Sequence, residues 1–403
     1  MTLERQPAPG PLSGLLVADF SRVLAGPYCT MLLADLGADV VKVESPAGDD
    51  TRHWVPPLGH YGDADVGTYY LAVNRNKRSI VLDFADADDL AVAHDLAARA
   101  DVVIQNFRPG GLVRFGLDYD SVRAVNPRAV YCSISGFGAE KGAALPGYDL
   151  LVQAVSGLMS LTGSPDGPPY RAGISVFDVM TGLHSAIGIL SALHHRDRTG
   201  EGQHVETNLL STALSSLVNQ TSAYVAGGVV PERMGNAHLS LFPYEPLPTG
   251  DGELIVIAGN DRQFQTLVTV LGIPEVAEDD RFATVYERNV NREELRPILL
   301  ERLAERSAKE WFELLTEAGI PAGPINDVRG GVELADELGL EPVVMSGEVP
   351  TVRNPVRLSA TPASYRLAPP GLDEHGEEIR AWLGATPHRH AVPEPGDPPV
   401  PSA

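Results

Sequence analysis

One carboxylate, Asp178, stands in the otherwise uncharged stretch GISVFDVMTG (173–182), directly before an apolar helical pattern. Two kinds of chemistry fit that placement. An Asp at a helix N-cap satisfies first-turn N–H groups and is worth ~1 kcal/mol. An Asp held ionised by the helix dipole, at the edge of a loop-built cleft, can also act as a nucleophile. The roles are compatible, and both are expected of Asp178. Asp149, in LPGYDLLVQAVSGLMSLTG (145–163), is a second acid just before an apolar run and also a cap candidate. Positive charge gathers in LAVNRNKRSIVL (71–82), where Arg75, Lys77 and Arg78 meet no acid between Asp65 and Asp83. Arg52, and Arg108 with Arg114 in NFRPGGLVRFG (106–116), extend the pattern. If these loops converge they would hold an anion, most naturally a phosphate; if not, they are solvated loops.

Other chemistries find little support. Cys29 and Cys132 are isolated and lack the spacing of a zinc site or disulfide framework, so both are expected as small buried thiols, with no metal centre. His184 and His194 lie inside a helical pattern, and no Ser-His-Asp set is legible. A net charge of −22 over 403 residues argues against nucleic acid or an anionic membrane as partner. No run approaches the ~18 apolar residues of a membrane span, and MTLERQPAPG lacks a signal-peptide core, so a cytoplasmic location is expected.

The elements that must position these residues alternate. GLLVADF (14–20), ADVVKVES (38–45), RSIVLDF (78–84), DVVIQNF (101–107) and AVYCSISGF (129–137) read as strands. GPYCTMLLADLG (26–37) and ADADDLAVAHDLAARA (85–100) read as helices between them. The pattern implies an α/β fold with a mostly parallel sheet covered on both faces, its ligands at the carboxyl ends of the strands. The turn DFSRVLAGP lacks the G-x-G-x-x-G of a dinucleotide site, although Glu44 could mimic its ribose-binding acid. From Asp178 a long helix is expected with Met180, Leu183, Ile187, Leu190 and Leu193 on one side, followed by a second helix over 204–228. The texture then changes, and 228–325 reads as a smaller α+β domain.

The stretches ADFSRVLAGPYCTMLLADLGADVVKVESPAGDDTR (18–52), NRNKRSIVLDF (74–84), NFRPGGLVRFGLDY (106–119), GYDLLVQAVSGLMSLTGSPDGPP (147–169) and VFDVMTGLHSAIGILSALHHRDRTGEGQ (176–203) together resemble the class III coenzyme A transferases, the CaiB/BaiF family. The resemblance implies a Rossmann-like large domain with a parallel sheet built from both chain ends, a smaller domain, and an interlocked homodimer. Domain bounds then follow: 1–203 for the first part of the large domain, a linker helix over 204–227, the small domain over 228–325, a linker over 326–345, the rest of the large domain over 346–385, and a Pro-rich, disordered tail over 386–403. The family's catalytic Asp matches Asp178, and the acid of its Tyr-Glu/Asp motif matches Asp149. Its coenzyme-A-contacting positions match Arg22, Val23 and Ala25, then Asn74, Arg75, Asn76 and Lys77, then Asn106, Phe107, Arg108 and Arg114, then Tyr148; Arg52 joins them as a basic neighbour.

The implied activity moves CoA from an acyl-CoA to a free carboxylic acid through an aspartyl anhydride and an aspartyl-CoA thioester, with no tightly bound cofactor. The alternative within the family is a 2-methylacyl-CoA racemase. That activity uses a Gly-His-Asp motif, where this chain has Gly147-Tyr148-Asp149. Tyrosine, with a pKa near ~10, is poorly matched to proton abstraction at neutral pH. Leu24 stands where formyl-CoA transferases carry Gln, and their run of four glycines is missing. Formate and oxalate are therefore disfavoured, and a larger acyl group or acid is expected.

Overall fold

The computed structural model describes residues 10–61 and 64–385; the expected disordered tail lies outside them. β1 (Leu16–Asp19), β2 (Asp39–Glu44), β3 (Lys77–Val81), β4 (Val102–Gln105), β5 (Val130–Ser135) and β6 (His204–Asn208) form one sheet in the order β3-β2-β1-β4-β5-β6. Every pairing is parallel. Runs such as Val102, Val103 and Ile104 are buried throughout rather than alternately, as a sheet covered on both faces requires. On one face lie α1 (Ala25–Asp35) and α4 (Val176–Thr199). On the other, α2 (Ala87–Arg99) and α6 (Gly376–Ala385) contribute Leu96, Ala97, Ile379 and Leu383 to the core around Val41, Ile80 and Val103. Two shorter helices bear on the site, α3 (Asp149–Val155) and α5 (Leu209–Ser216). Strand order reverses between β1 and β4, so the loops leaving those strands part and leave a crevice at their carboxyl ends.

Several expectations change. The sheet is not built from both chain ends: all six strands precede residue 209. Among the described residues the C-terminal part adds only the hairpin Val343–Ser346/Val349–Val352 and α6, because the stretch between them has no apolar run to pair. Residues 204–208 are a strand, not the start of a helix. The turn at Gly200 and Gly202 releases HVETN, with β-branched Val205 and Thr207, to pair with β5, and helix begins only at Leu209. Within 326–345, Val328–Glu337 is helical.

The apolar side chains expected on one side of α4 do not share one environment: Leu193 is buried, as are Phe177 and Ile189. Leu183, Ile187 and Leu190 are exposed, while Gly182, Ser185, Ala186, Ile189 and Ala192 are buried. A Cβ at Gly182 would lie 2.7 Å from Ala25 O, and one at Gly188 2.7 Å from Val205 Cγ1, so small residues let α1 and β6 approach closely. One 18-residue window of α4 reaches a mean hydropathy of 1.5, enough by composition for a membrane span and more than expected from the sequence. In the structure only 44% of that window is buried, and it is the small residues together with Ile189 that pack α4 against α1, β5 and β6.

The chain divides into two compact units. The larger runs to Ser156, includes Ala172–Ser222 and resumes at Glu341; the smaller takes Gly157–Arg171 and Ala223–Leu340. Tyr244–Pro248, Glu253–Ile257 and Ala322–Gly323 form an antiparallel sheet in the smaller unit, over a core that includes Leu254, Val256, Phe264, Leu299 and Trp311.

Candidate active site

A cleft of about 450 Å³ opens at the carboxyl ends of β1, β4 and β5, within the larger unit. Arg22, Val23, Leu24 and Ala25 line it from the β1 side, and Asn106, Phe107, Arg108 and Arg114 from the β4 side. Tyr148 and Asp178 close it. Asn106 ties the two loops together: its Nδ2 donates to Arg22 O at 2.7 Å and its Oδ1 accepts the Arg22 N–H at 2.9 Å. Gly136 and Gly147 bring the loop before α3 against the end of β5, where a Cβ on Gly136 would fall 2.4 Å from the Gly147 Cα. That approach carries the exposed Tyr148 ring into the cleft wall.

The two carboxylates divide the roles that Asp178 was expected to combine. Asp178 is the third helical residue of α4, after the N-cap Ser175, and makes no capping bond. The cap comes from Asp149 on α3, whose Oδ1 accepts the N–H groups of Phe177 at 2.8 Å and Asp178 at 3.2 Å. Gln153 Nε2 donates to the other Asp149 oxygen and to Ile174 O, and its Oε1 accepts the Ala172 N–H at 2.8 Å. Asp149 is thus buried and fully engaged, and Asp178 is left unengaged on the cleft wall. The expectation that Asp178 stays fully ionised is corrected as well. Burial, together with the negative charge of Asp149, pushes its pKa up to about 7. A carboxylate raised in this way is more basic than a free one, and so a stronger nucleophile once deprotonated.

The basic loops do not converge. Asn74–Asn76 precede β3 and Lys77 opens it, in register with Val40 near the start of β2, away from the crevice. Arg75 is buried in a bidentate pair with Asp35 at the end of α1, with N···O distances of 2.9 and 2.6 Å. Asn76 Nδ2 donates to Asp35 and to Ser364 O. Lys77 Nζ is fully buried against Asp19 at 3.1 Å, with Asn74 Oδ1 at 3.0 Å; burial lowers its pKa to about 8. Arg52 forms a buried pair with Glu44, which removes Glu44 as a ribose-binding acid. The basic stretch is therefore an internal ion-pair framework. Arg108 and Arg114 remain exposed on the cleft and pair with no described carboxylate, while Arg22 pairs with Asp50 at 3.0 Å.

Three contributors were not singled out from the sequence. Trp54 lines the cleft and stacks edge-on with Tyr69 at 5.2 Å; Tyr69 Oη reaches Ser175 Oγ at 3.4 Å beside the start of α4. Burial and the nearby carboxylates raise the Tyr69 pKa. Gln153 is the third, and its spacing of four from Asp149 on a short helix was the available signal. Among the described residues no cluster of metal-ligating side chains occurs, and both cysteines are buried free thiols.

A doubly wound sheet with an acidic helix start at its switch-point crevice defines a class of folds, and comparison with known proteins identifies which member this is. The model of CoA-transferase family III matches residues 12–376, and the chain belongs to that family. It is 42% identical to the succinate–glutarate CoA-transferase of Agrobacterium fabrum, over 95% of this chain and 98% of the relative. It is 39% identical to the acetyl-CoA:oxalate CoA-transferase of Acetobacter aceti, over 93% and 96%. The crystal structure of a CaiB/BaiF family protein from Brucella suis superposes with a TM-score of 0.83 at 44% identity, covering 93% of this chain and all of that one. The protein is an enzyme, a family III CoA-transferase.

Proposed function

We propose that the enzyme moves CoA between an acyl-CoA and a free carboxylate by covalent catalysis at Asp178. An Asp178 oxygen attacks the thioester carbonyl, the C–S bond breaks, and a mixed anhydride and CoA thiolate form. The thiolate attacks the Asp178 carbonyl, expelling the donor acid and leaving an aspartyl-CoA thioester. The incoming carboxylate attacks that carbonyl, and the returning thiolate takes the new acyl group and frees Asp178. Every bond made is matched by one broken. The observation that carries this reading is the division of labour between Asp149 and Asp178: a buried acid caps α4, and the cleft-facing acid is left unengaged with a raised pKa. α1 starts at Ala25 on the cleft wall without a side-chain cap, so its first-turn N–H groups and dipole are available to the developing oxyanion. Arg108 and Arg114 are the cations free to meet CoA phosphates.

The names of the relatives point to dicarboxylates as the acids, with oxalate among those to assay despite Leu24. Racemisation is disfavoured, because among the described residues no histidine lines the cleft. An interlocked homodimer working in the cytoplasm belongs to the same reading; it would cover the exposed Leu183, Ile187 and Leu190. Size-exclusion chromatography with light scattering tests the dimer. The mechanism is tested by incubation with succinyl-CoA, a hydroxylamine or borohydride quench, and mass spectrometry. Modification is expected at Asp178; CoA transfer with Asp178 unmodified overturns it.

A further inference from the structure

Val23, on the cleft wall, has φ = 71°, a left-handed conformation poorly suited to a β-branched residue. Such a residue persists only where its surroundings over-determine it. Here the Val23 N–H donates to the Asp49 carboxylate, at 3.2 Å to Oδ2 and 3.4 Å to Oδ1. The same carboxylate accepts Lys42 Nζ at 2.8 Å and the N–H and hydroxyl of Thr51 at 3.0 and 2.7 Å. Lys42, fully buried, also donates to Ser21 O at 3.1 Å. With Arg22 held on both sides by Asn106, three successive residues are fixed by side chains from outside the loop. The chain then enters α1 at Ala25.

Asp49 and Lys42 are both absent from the cleft lining, so neither can meet a ligand there. Burying two ions is costly unless each is well paired, and a hydrophobic pair would hold the fold as well. What a hydrophobic pair could not do is accept the N–H groups of Val23 and Thr51, and of these two residues only Val23 lines the cleft. We propose that Asp49, backed by Lys42, is a positioning residue for CoA transfer: it holds Val23 left-handed and so fixes the 22–25 loop and the start of α1 at the reacting carbonyl. This role rests on the cleft being the CoA site, and the activity of the unaltered chain tests that separately.

The test uses the full chain with Lys42→Met and Asp49→Leu together, which orphans no buried charge but removes the acceptor. This double variant is expected to stay folded at the assay temperature while kcat falls at least about tenfold, a modest loss of transition-state positioning. Adding Val23→Gly, which takes positive φ without steric cost, is expected to restore kcat at least about threefold. A purely structural ion pair would show no such rescue. The positioning role is overturned if the double variant keeps its kcat, or if Val23→Gly restores nothing while the unaltered enzyme is active. Should the double variant not fold, Val23→Asn in the unaltered chain decides. Asn tolerates the left-handed region, so an unchanged or higher Tm is expected, and a clear fall in Tm overturns the role.

Discussion

Arg75 and Arg108 lie in loops at opposite ends of one parallel sheet, and their surroundings differ in kind. Arg75, before β3, is buried against Asp35 and also donates to Thr351 Oγ1 at 2.9 Å. Arg108, after β4, is exposed on the cleft and pairs with no described carboxylate. The chain places an acid beside almost every cation of the first group: Asp35 for Arg75, Asp19 for Lys77, Glu44 for Arg52 and Asp49 for Lys42. A cation already neutralised inside the fold has no charge to offer a phosphate. The availability of a positive group, not its frequency in a stretch of sequence, marks where an anion can bind.

The largest effect is expected at the acid on the cleft, at the same end as Arg108. Asp178→Ala should lower kcat at least about a thousandfold, as loss of a covalent nucleophile does, with little change in KM; steady-state kinetics checks it. Arg75→Ala should act on stability instead. It leaves the buried Asp35 charge without its counter-ion, with only amide donors, at a cost of roughly 3–5 kcal/mol, visible as a lower midpoint in urea, while the KM of the surviving folded enzyme for acyl-CoA changes little. Arg108→Ala should do the reverse, raising that KM about tenfold through one lost charge-assisted contact and leaving Tm unchanged. If Arg75 moved KM and Arg108 moved Tm, the contrast between the two ends would collapse.

The smallest effect is a pH dependence. Between its ordinary value of 3.8 and about 7, Asp178 holds in the folded chain a proton that the unfolded chain has lost, so its contribution to stability falls as pH rises across that window. Asp178→Asn should therefore raise Tm above pH 7 and change it little near pH 4. In the wild type, kcat/KM should rise with pH through about 7 as the carboxylate form fills. A flat profile would show that Asp178 is ionised throughout.

Much of the site was legible because it depends on local sequence. Asp149 two residues after a glycine and the Asn106–Arg114 loop after a strand lie where the pattern put them, while Asp178 sits two residues inside the apolar helix that was expected to follow it. The strand–helix alternation likewise predicted a parallel sheet, since continuous apolar runs between amphipathic helices have few other ways to bury both faces. Residues 204–208 were misread because five residues carry too little periodicity to outweigh the helical pattern that follows them.

What the sequence could not decide was partnership across the chain. The Asp149 cap spans 28 residues to Phe177, the Arg75–Asp35 pair 40, and the Asn106–Arg22 clamp 84. Residue types state which groups can ionise, donate or accept. Whether a given ion meets solvent, a buried counter-ion or a substrate depends on desolvation and on distances set by packing, and these exist only once the sheet has brought distant segments together. The sequence by itself determined the fold class, the nucleophile candidate and the family pattern. Tertiary structure alone decided that Asp149 caps α4 in place of Asp178, that Asp178 is raised toward neutral pH, and which arginines remain free.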